Sequence, residues 1–189
     1  NKWVHVKPSE QVLLLIDQGV VTFQEHVSTS AKGLGQVMNS FQTPHGWHII
    51  RAKIGADMPI NTVFRGRRPT GEIYSPKLAQ VELDRDWILS RILWLSGMEV
   101  GKNRLSNVDT MRRFIYIHGT PDETFVAKPG SMGCVRMQNQ ALIQLFLMTE
   151  VNSATTLRYT NQACSGSCWS ASKRLRRKTL SCKRSPVCF

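Results

Sequence analysis

The sequence predicts a mainly β fold with one helix near the end of the folded region. Short runs of branched and aromatic residues alternate with turn residues, which is typical of strands. The apolar run at 86–95 is the most strongly apolar of these, and its content favours a buried strand, although a short helix also fits. Residues 141–148 place apolar side chains on one helical face. A chain of 189 residues is long enough for one domain with a real core.

The first segments predict a β-hairpin preceded by a short strand. Residues 3–6 and 12–16 are strand-like, and a third strand begins at residue 20 and continues to about Val27. The turn Asp17-Gln18-Gly19 lies between the second and third runs, where glycine and polar residues are typical of hairpin connections.

The middle of the chain predicts a strand between two loops. Residues 28–39 are rich in Ser, Gly and Lys and are interpreted as a loop, and the turn Thr43-Pro44-His45-Gly46 precedes a strand at 47–52. Residues 55–85 contain three prolines and are interpreted as a long loop. Arg65, Arg67 and Arg68 within it suggest either a solvated basic surface or a lid that faces a substrate. Both interpretations stay open.

The net charge of +12 is concentrated at the end of the chain. Residues 1–150 carry 17 basic and 13 acidic residues, which is +4, whereas residues 151–189 carry 8 basic and no acidic residues, which is +8. The predicted organisation is a domain at 1–150 followed by a basic, Cys- and Ser-rich tail at 151–189 that is poorly ordered. No apolar run reaches the roughly 20 residues of a membrane helix.

Four of the five cysteines also lie in the tail, at positions 164, 168, 182 and 188. Their C-x3-C and C-x5-C spacing differs from the tighter pairs of zinc sites, so no metal is expected. The basic run at 173–178 contains no aromatic residue for base stacking, so no nucleic-acid partner is expected. We interpret the tail as a disordered segment.

A histidine and a cysteine in neighbouring turns suggest a nucleophile pair. An apolar run at 111–117 leads to His118, where Gly119 ends it, and a loop returns to Ser131-Met132-Gly133, which presents Cys134. A thiolate is the reactive form of cysteine, and an imidazole can take up its proton. The alternative is that Cys134 is a small buried hydrophobe and His118 a satisfied core or surface residue, and the spacing alone does not decide between them.

Other residues near this pair have predicted roles of their own. Gly133 and Gly119 would let backbone N–H groups approach a developing oxyanion, with the N–H groups of Cys134 and Gly133 as the donors. Arg136 lies two residues after Cys134, on the same face of an extended strand, where it suits a substrate carboxylate. The alternative for Arg136 is a solvated charge.

These residues resemble the signature of the L,D-transpeptidase catalytic domain family, also called YkuD. The family signature is a histidine, a spacer and then Ser/Thr-x-Gly-Cys-hydrophobic-Asn/Arg, which His118 and residues 131–136 match. Residues 9–19 resemble the opening hairpin of the family, 27–29 its next strand end, and 43–46 its Thr-Pro-x-Gly turn. The resemblance covers roughly residues 3–150.

The resemblance implies a curved sheet or sandwich with a short helix after the cysteine. It also implies that Cys134 is the nucleophile and His118 the general base, with Ser131, Tyr116 and Arg136 contacting substrate. The implied reaction is acyl transfer on peptidoglycan stem peptides with release of D-Ala, without a metal or organic cofactor. Carbapenems are expected to acylate Cys134.

The sequence also departs from the family pattern and leaves alternatives. Met132 stands where a second histidine is frequent. Leu157 and Tyr159 fit the alternation of a short strand, but beyond Thr160 nothing indicates the closing strand of the family. An L,D-carboxypeptidase that trims tetrapeptides, and a non-catalytic module that binds anionic polymers, are the alternative functions. A monomer is expected, in the periplasm or cell envelope if a leader was removed, and in the cytoplasm if the chain never had one.

Overall fold

The computed structural model describes residues 2–83 and 85–158, and these form a mainly β domain around one large mixed sheet. The predictions for the tail cysteines, the basic run at 173–178 and the order of the tail lie outside the described residues, apart from 151–158. None of the described helices is both long and apolar enough to cross a membrane.

The strands follow one another in short hairpins and longer crossovers. In chain order they are β1 (Lys2–Lys7), β2 (Val12–Asp17), β3 (Val20–His26), β4 (Gly46–Ile54), β5 (Thr62–Arg65), β6 (Arg68–Ile73), β7 (Ile88–Gly97), β8 (Tyr116–Gly119), β9 (Val135–Met137) and β10 (Ala154–Leu157). The helices are α1 (Pro76–Val81) and α2 (Asn139–Met148). The predicted hairpin of β2 and β3 is therefore confirmed, with its turn at Gln18-Gly19.

The main path through the sheet is β3-β2-β1-β10-β4-β7-β5-β6. β7 is the hub of this arrangement. Its two edges pair with β4 and β5 on one side and with β8 on the other, and β8 then pairs in parallel with β9. The predicted site residues of β8 and β9 are thereby connected, through β8, to the longest strand of the described sheet.

β10 lies in the middle of the sheet, between β1 and β4. It pairs in parallel with β1 and antiparallel with β4, and Leu157 at its end is fully buried. The domain therefore extends past residue 150, where the sequence analysis placed its boundary, because residues 154–157 bridge two other strands.

The main core lies between the sheet and α2. α2 packs against β7 and β8 through one apolar face, as the helical spacing predicts. The buried side chains of this core include Val4, Leu13, Leu15, Ile50, Leu93, Leu95, Ile117, Leu142, Leu145 and Phe146.

The segment at 55–85, predicted to be a long loop, instead contains the β5–β6 hairpin and α1. Pro69 and Gly71 weaken the strand signal of β6, and most of β6 is exposed, so the apolar alternation that marks a strand is missing. Ser75 caps α1 by accepting a hydrogen bond from the backbone N–H of Leu78, and Pro76 occupies the first helical position.

The N-terminus of α2 also differs from the prediction. Asn139 is the first residue of the helix rather than its N-cap, and the Asp122 carboxylate accepts the Asn139 backbone N–H at 2.9 Å. A carboxylate at this position also interacts favourably with the helix dipole. The Asn139 side chain points into the core, where it accepts a hydrogen bond from Ser90 and donates one to the carbonyl of Thr120.

Candidate functional site

The strand pairing brings His118, Tyr116, Cys134 and Arg136 to one face of the sheet. β8 and β9 run in parallel with His118 opposite Arg136, and residues two apart along a strand share a face. Cys134 directly precedes β9 and lies beside Tyr116, whose backbone N–H donates to the Cys134 sulfur at 3.4 Å. The pairing of two parallel strands therefore closes the separation of 16 residues between the histidine and the cysteine.

The His118 ring is fully buried and held in one tautomer. Its Nδ1 lies 2.8 Å from the carbonyl oxygen of Gly119. Because a carbonyl can only accept, Nδ1 carries the hydrogen and Nε2 of the neutral ring carries the lone pair. Nε2 is buried and has no hydrogen-bond partner among the described residues. The ring therefore has a free basic nitrogen.

Gly119 has a packing role at this site, and its predicted part in an oxyanion site stays a prediction. A Cβ on Gly119 would lie 2.2 Å from Oδ1 of Asn139 and 2.7 Å from the carbonyl oxygen of Leu89. Glycine is therefore needed for the close approach of Asn139, while its carbonyl orients His118. The contacts connect the start of α2 to the His118 ring through a single residue.

The Cys134 thiol is neutral in its surroundings. Burial raises the pKa of the thiol to about 12, and the nearby Asp86 carboxylate adds to the increase while the Tyr116 N–H, Arg136 and Arg113 oppose it. Burial lowers the pKa of His118, with Asp86 and the hydrogen bond to Gly119 acting in the opposite direction. Both groups are therefore uncharged at neutral pH, and no hydrogen bond joins their side chains within the described part of the chain.

The turn before Cys134 is built by Ser131 and Gly133. The Ser131 hydroxyl donates to the Cys134 carbonyl at 2.6 Å and accepts the Gly133 N–H at 3.2 Å. Gly133 has a φ of +122°, and a Cβ there would lie 3.3 Å from the carbonyl oxygen of Gln42.

These contacts change two predicted roles. Ser131 is buried, and its hydroxyl is used within the turn, so we assign it to holding the turn rather than to contacting substrate. The Gly133 N–H is occupied by Ser131, which leaves the Cys134 N–H as the remaining predicted oxyanion donor of this turn. The role of the Cys134 N–H stays a prediction.

Cys134 opens into a cleft of about 720 Å³. The wall of the cleft is mainly arginine and apolar side chains, and the carboxylate of Asp86 lies among them. The lining residues most relevant to charge and contact are Phe41, Arg67, Asp86, Arg112, Arg113, Phe114, Tyr116, Met132 and Arg136. The positive cleft suits an anionic ligand.

The tip of the β5–β6 hairpin reaches over this cleft. Arg67 donates to the Tyr116 hydroxyl at 3.1 Å, and its guanidinium lies 4.6 Å from the Trp94 ring centre and 4.8 Å from that of Phe114. This contact favours the lid interpretation of Arg67. Arg65 and Arg68, in contrast, are exposed. Tyr116, predicted to contact substrate, lines the cleft with its hydroxyl already paired to Arg67.

Asp86 and Arg113 belong to the site but were not predicted from the sequence. Asp86 lies just before β7 and pairs with Arg136 at 2.6 Å, so Arg136 is not simply a solvated charge. Arg113 donates to the backbone of Gly35 at 3.0 Å and also to the Gln42 carbonyl, which fixes the loop beside the cysteine turn. Both residues make contacts between segments far apart in sequence, and no local sequence pattern predicts such contacts.

Comparison with known proteins gives one family match. The family model of the L,D-transpeptidase catalytic domain, YkuD, matches residues 1–157. A comparison with curated proteins gave no significant match.

Several solved structures share this fold at low sequence identity. An L,D-transpeptidase from Xylanimonas cellulosilytica aligns with a TM-score of 0.54 at 16% identity, covering 84% of this chain and 60% of that one. A Cys-to-Ser mutant of the Enterococcus faecium L,D-transpeptidase gives 0.51 at 12%, covering 84% and 50%. L,D-transpeptidase 3 of Mycobacterium tuberculosis, in complex with a faropenem-derived adduct, gives 0.50 at 11%, covering 83% and 60%. The chain thus spans half to three fifths of the length of these proteins, and at such identities the likeness shows the fold.

Proposed function

We propose that this chain, which belongs to the L,D-transpeptidase catalytic domain family, is a cysteine acyltransferase that acts on peptidoglycan stem peptides. The observation that carries the proposal is the state of His118. Its Nδ1 is fixed on the Gly119 carbonyl, and its unpartnered Nε2 lies on the face of the sheet that also presents Cys134. A neutral imidazole with a free Nε2 is the form that a general base requires.

In the proposed first step, the Cys134 sulfur attacks the carbonyl carbon that precedes the terminal D-Ala. A carbon–sulfur bond forms as the thiol proton passes to Nε2 of His118, and the Cys134 N–H stabilises the oxyanion. When the intermediate collapses, the carbon–nitrogen bond breaks and His118 returns the proton to the departing amine. D-Ala leaves, and an acyl-thioester remains on Cys134.

In the second step an amine of another stem peptide attacks the thioester. His118 takes the amine proton and returns it to the sulfur, so both residues end in their initial states. If water attacks instead, the product is a shortened peptide and the activity is that of an L,D-carboxypeptidase. The proposed chemistry uses the side chains of Cys134 and His118 and the backbone N–H of Cys134, and Arg136 is proposed to hold a substrate carboxylate.

The neutral thiol of the structure fits a coupled proton transfer. Because burial keeps the pKa of Cys134 high and that of His118 low, a standing thiolate–imidazolium pair is disfavoured. The thiol contacts the Phe114 carbonyl at 3.6 Å and must turn towards His118 when the substrate binds. Catalytic hydrogen bonds commonly form only in the complex with substrate.

A carbapenem and intact-mass spectrometry test the nucleophile. Wild-type protein is expected to gain one adduct, and Cys134→Ala is expected to gain none. The four tail cysteines remain in the variant, so it also controls for acylation of thiols other than Cys134. His118→Gln keeps the thiol but lacks the base, so its acylation should slow by about 100-fold or more. An adduct that survives Cys134→Ala would contradict the assignment.

Product analysis with purified stem tetrapeptides then separates transfer from hydrolysis. A cross-linked dimer is expected for a transpeptidase, and free tripeptide alone identifies a carboxypeptidase. Binding of peptidoglycan by a protein that forms no adduct and no product would favour the non-catalytic module.

A further inference from the structure

We propose that Asp86 is a placeholder for the substrate carboxylate. Before substrate binds, Asp86 occupies Arg136, and it gives way when the free C-terminal carboxylate of a donor peptide enters the cleft. Asp86 is thus a specificity-determining residue that acts through Arg136. The role of Asp86 in turnover rests on the proposed function, whereas its competition with a peptide carboxylate for Arg136 does not depend on catalysis.

The first support is the geometry of the pair. Oδ1 of Asp86 lies 2.6 Å from Nη2 of Arg136, and the two residues are 50 positions apart in sequence. Their side chains are 39% and 22% exposed, so the pair is neither sealed in the core nor fully solvated. A pair of this kind is weak enough to exchange partners during binding.

The second support is an unused donor on Arg136. Its Nη1 donates to the carbonyl of Gly130 at 3.3 Å and its Nη2 binds Asp86, but its Nε is buried without a partner among the described residues. Nε and Nη2 form one edge of the guanidinium and suit a carboxylate that binds with both oxygens. Asp86 engages only half of this edge, so a carboxylate that takes both donors satisfies more of Arg136.

The third support is the charge of the cleft. Of the described residues that line it, Asp86 alone is acidic, whereas Arg67, Arg112, Arg113 and Arg136 are basic. Within this lining, a substrate carboxylate would therefore compete with Asp86 alone. Asp86 is bound to Arg136, the arginine nearest to Cys134 in sequence. Removing the Asp86 charge strengthens the attraction for an anionic peptide.

The distance between Cys134 and Arg136 fits a particular substrate. Two residues along a strand span roughly 6.6 Å, and side chains two apart share a face. A peptide whose free carboxylate lies one residue beyond the scissile carbonyl can place that carboxylate at Arg136 while the carbonyl is at the sulfur. The preferred class is therefore donors that end in a free carboxylate, rather than C-terminal amides.

The test compares two synthetic tetrapeptide donors, one ending in D-Ala and the other in D-alaninamide. Wild type, Asp86→Asn and the control Glu82→Gln are assayed at pH 8 for release of the terminal residue. Glu82 is an exposed acidic residue four positions before Asp86, and it does not line the cleft. Glu82→Gln therefore removes the same negative charge as Asp86→Asn without changing the cleft. His118, whose pKa is lowered by burial, is neutral at pH 8 with or without Asp86.

Asp86→Asn is expected to lower KM for the acid about threefold to fivefold, which corresponds to the strength of a partly exposed ion pair. Its KM for the amide should stay the same, and kcat should change by less than twofold for both. An increase in KM for the acid, an equal change for acid and amide, or the same effect in Glu82→Gln overturns the proposal.

A binding measurement keeps this inference separate from the proposed function. Calorimetry with Cys134→Ala and with Cys134→Ala/Asp86→Asn gives the Kd of each peptide without any turnover. The double variant should bind the acid about threefold to fivefold more tightly and the amide equally well. If wild type forms no carbapenem adduct and releases nothing, the proposed function fails, and these Kd values still decide the role of Asp86. Equal Kd values for the acid in both proteins overturn it.

Discussion

Cys134 and His118 are uncharged in the folded protein because both lie in surroundings that disfavour charge. Burial moves the two pKa values in opposite directions, and the direction for each is the one that keeps the neutral form. A neutral thiol is a weaker nucleophile than a thiolate. In the proposed mechanism, the Cys134 thiol reacts when a substrate places its carbonyl carbon beside the sulfur and the proton passes to His118.

The pH dependence of alkylation tests this charge state. Iodoacetamide reacts with the thiolate, and with a thiol pKa of about 12 the thiolate fraction rises tenfold for each pH unit across the accessible range. We expect the alkylation rate of Cys134, followed on its own peptide by mass spectrometry, to rise with a slope near one from pH 7 to 10. N-acetylcysteine, as the control, should level off near its ordinary pKa. A plateau for Cys134 at or below pH 8 would indicate a thiolate already paired with imidazolium.

At the scale of residues, the sequence marks the candidate pair, His118 and Cys134, more clearly than the residues that contact Arg136 and the cysteine turn. His118 and Cys134 lie in local patterns, a strand end and a small-residue turn, that are visible without any pairing. Asp86 and Arg113 act through contacts with Arg136 and with the backbone of Gln42, which are distant in sequence. Nothing local marks a carboxylate that will lie beside an arginine 50 residues away.

Among the elements, the β5–β6 hairpin has the closest relation to the cleft. Its two-residue turn, Gly66-Arg67, has positive φ at both positions, which matches the geometry of a tight hairpin. Arg67 has a φ of +67°, an uncommon conformation for a side-chain-bearing residue. The contacts of its guanidinium with Tyr116, Trp94 and Phe114 offset that strain and hold the tip over the site.

Replacing Arg67 should therefore loosen this hairpin without unfolding the domain. Arg67→Ala removes one hydrogen bond and two cation–π contacts, together worth about 1–2 kcal/mol. Hydrogen exchange of the amides at 62–73 should accelerate roughly tenfold, while that of β7 stays unchanged. Arg68→Ala, in an exposed neighbour of the same turn, is the matched control. Equal exchange in both variants would show that the Arg67 contacts do not hold the hairpin.

The β5–β6 hairpin also shows why some strands cannot be predicted from their own residues. β5 is buried at three of its four residues, but β6 is almost entirely exposed and contains a proline and a glycine. Its strand character comes from pairing with β5 rather than from its own residues, since β propensity depends on neighbours. β7 is buried along most of its length, and its branched and aromatic residues favoured a strand over the short helix that also fitted the sequence.

For the molecule as a whole, the strand order explains how the short strand β10 contributes to the core. The change in composition near residue 150 suggested the end of the domain, and Ala154-Thr155-Thr156-Leu157 is too short and too polar to stand out. In the folded chain these residues lie between β1 and β4, and three of them are buried. Position in the sheet, which the local sequence does not contain, makes them part of the core.

Two truncated chains test where the domain ends. A chain of residues 1–160 keeps β10 and should unfold cooperatively and form the carbapenem adduct like the full chain. A chain of residues 1–150 loses the strand between β1 and β4, which leaves two inner strand edges unpaired and removes the buried side chain of Leu157. The expected loss exceeds about 5 kcal/mol, comparable with the whole stability of a small domain, so this chain should not fold.

A point variant in the chain of residues 1–160 separates the effect of losing the buried Leu157 side chain from the effect of shortening the chain. Leu157→Ala in the chain of residues 1–160 keeps the backbone pairing of β10 but removes a fully buried side chain, which should cost about 2–5 kcal/mol in the free energy of unfolding by urea. Thr156→Ser, a smaller change in the same strand, should cost less. If the 1–150 chain unfolds cooperatively and forms the adduct, β10 is dispensable, because β1 and β4 then hold the sheet together without it. If the 1–160 chain fails to fold, residues beyond 160 contribute to the domain, and the tail has a structural role that its composition does not predict.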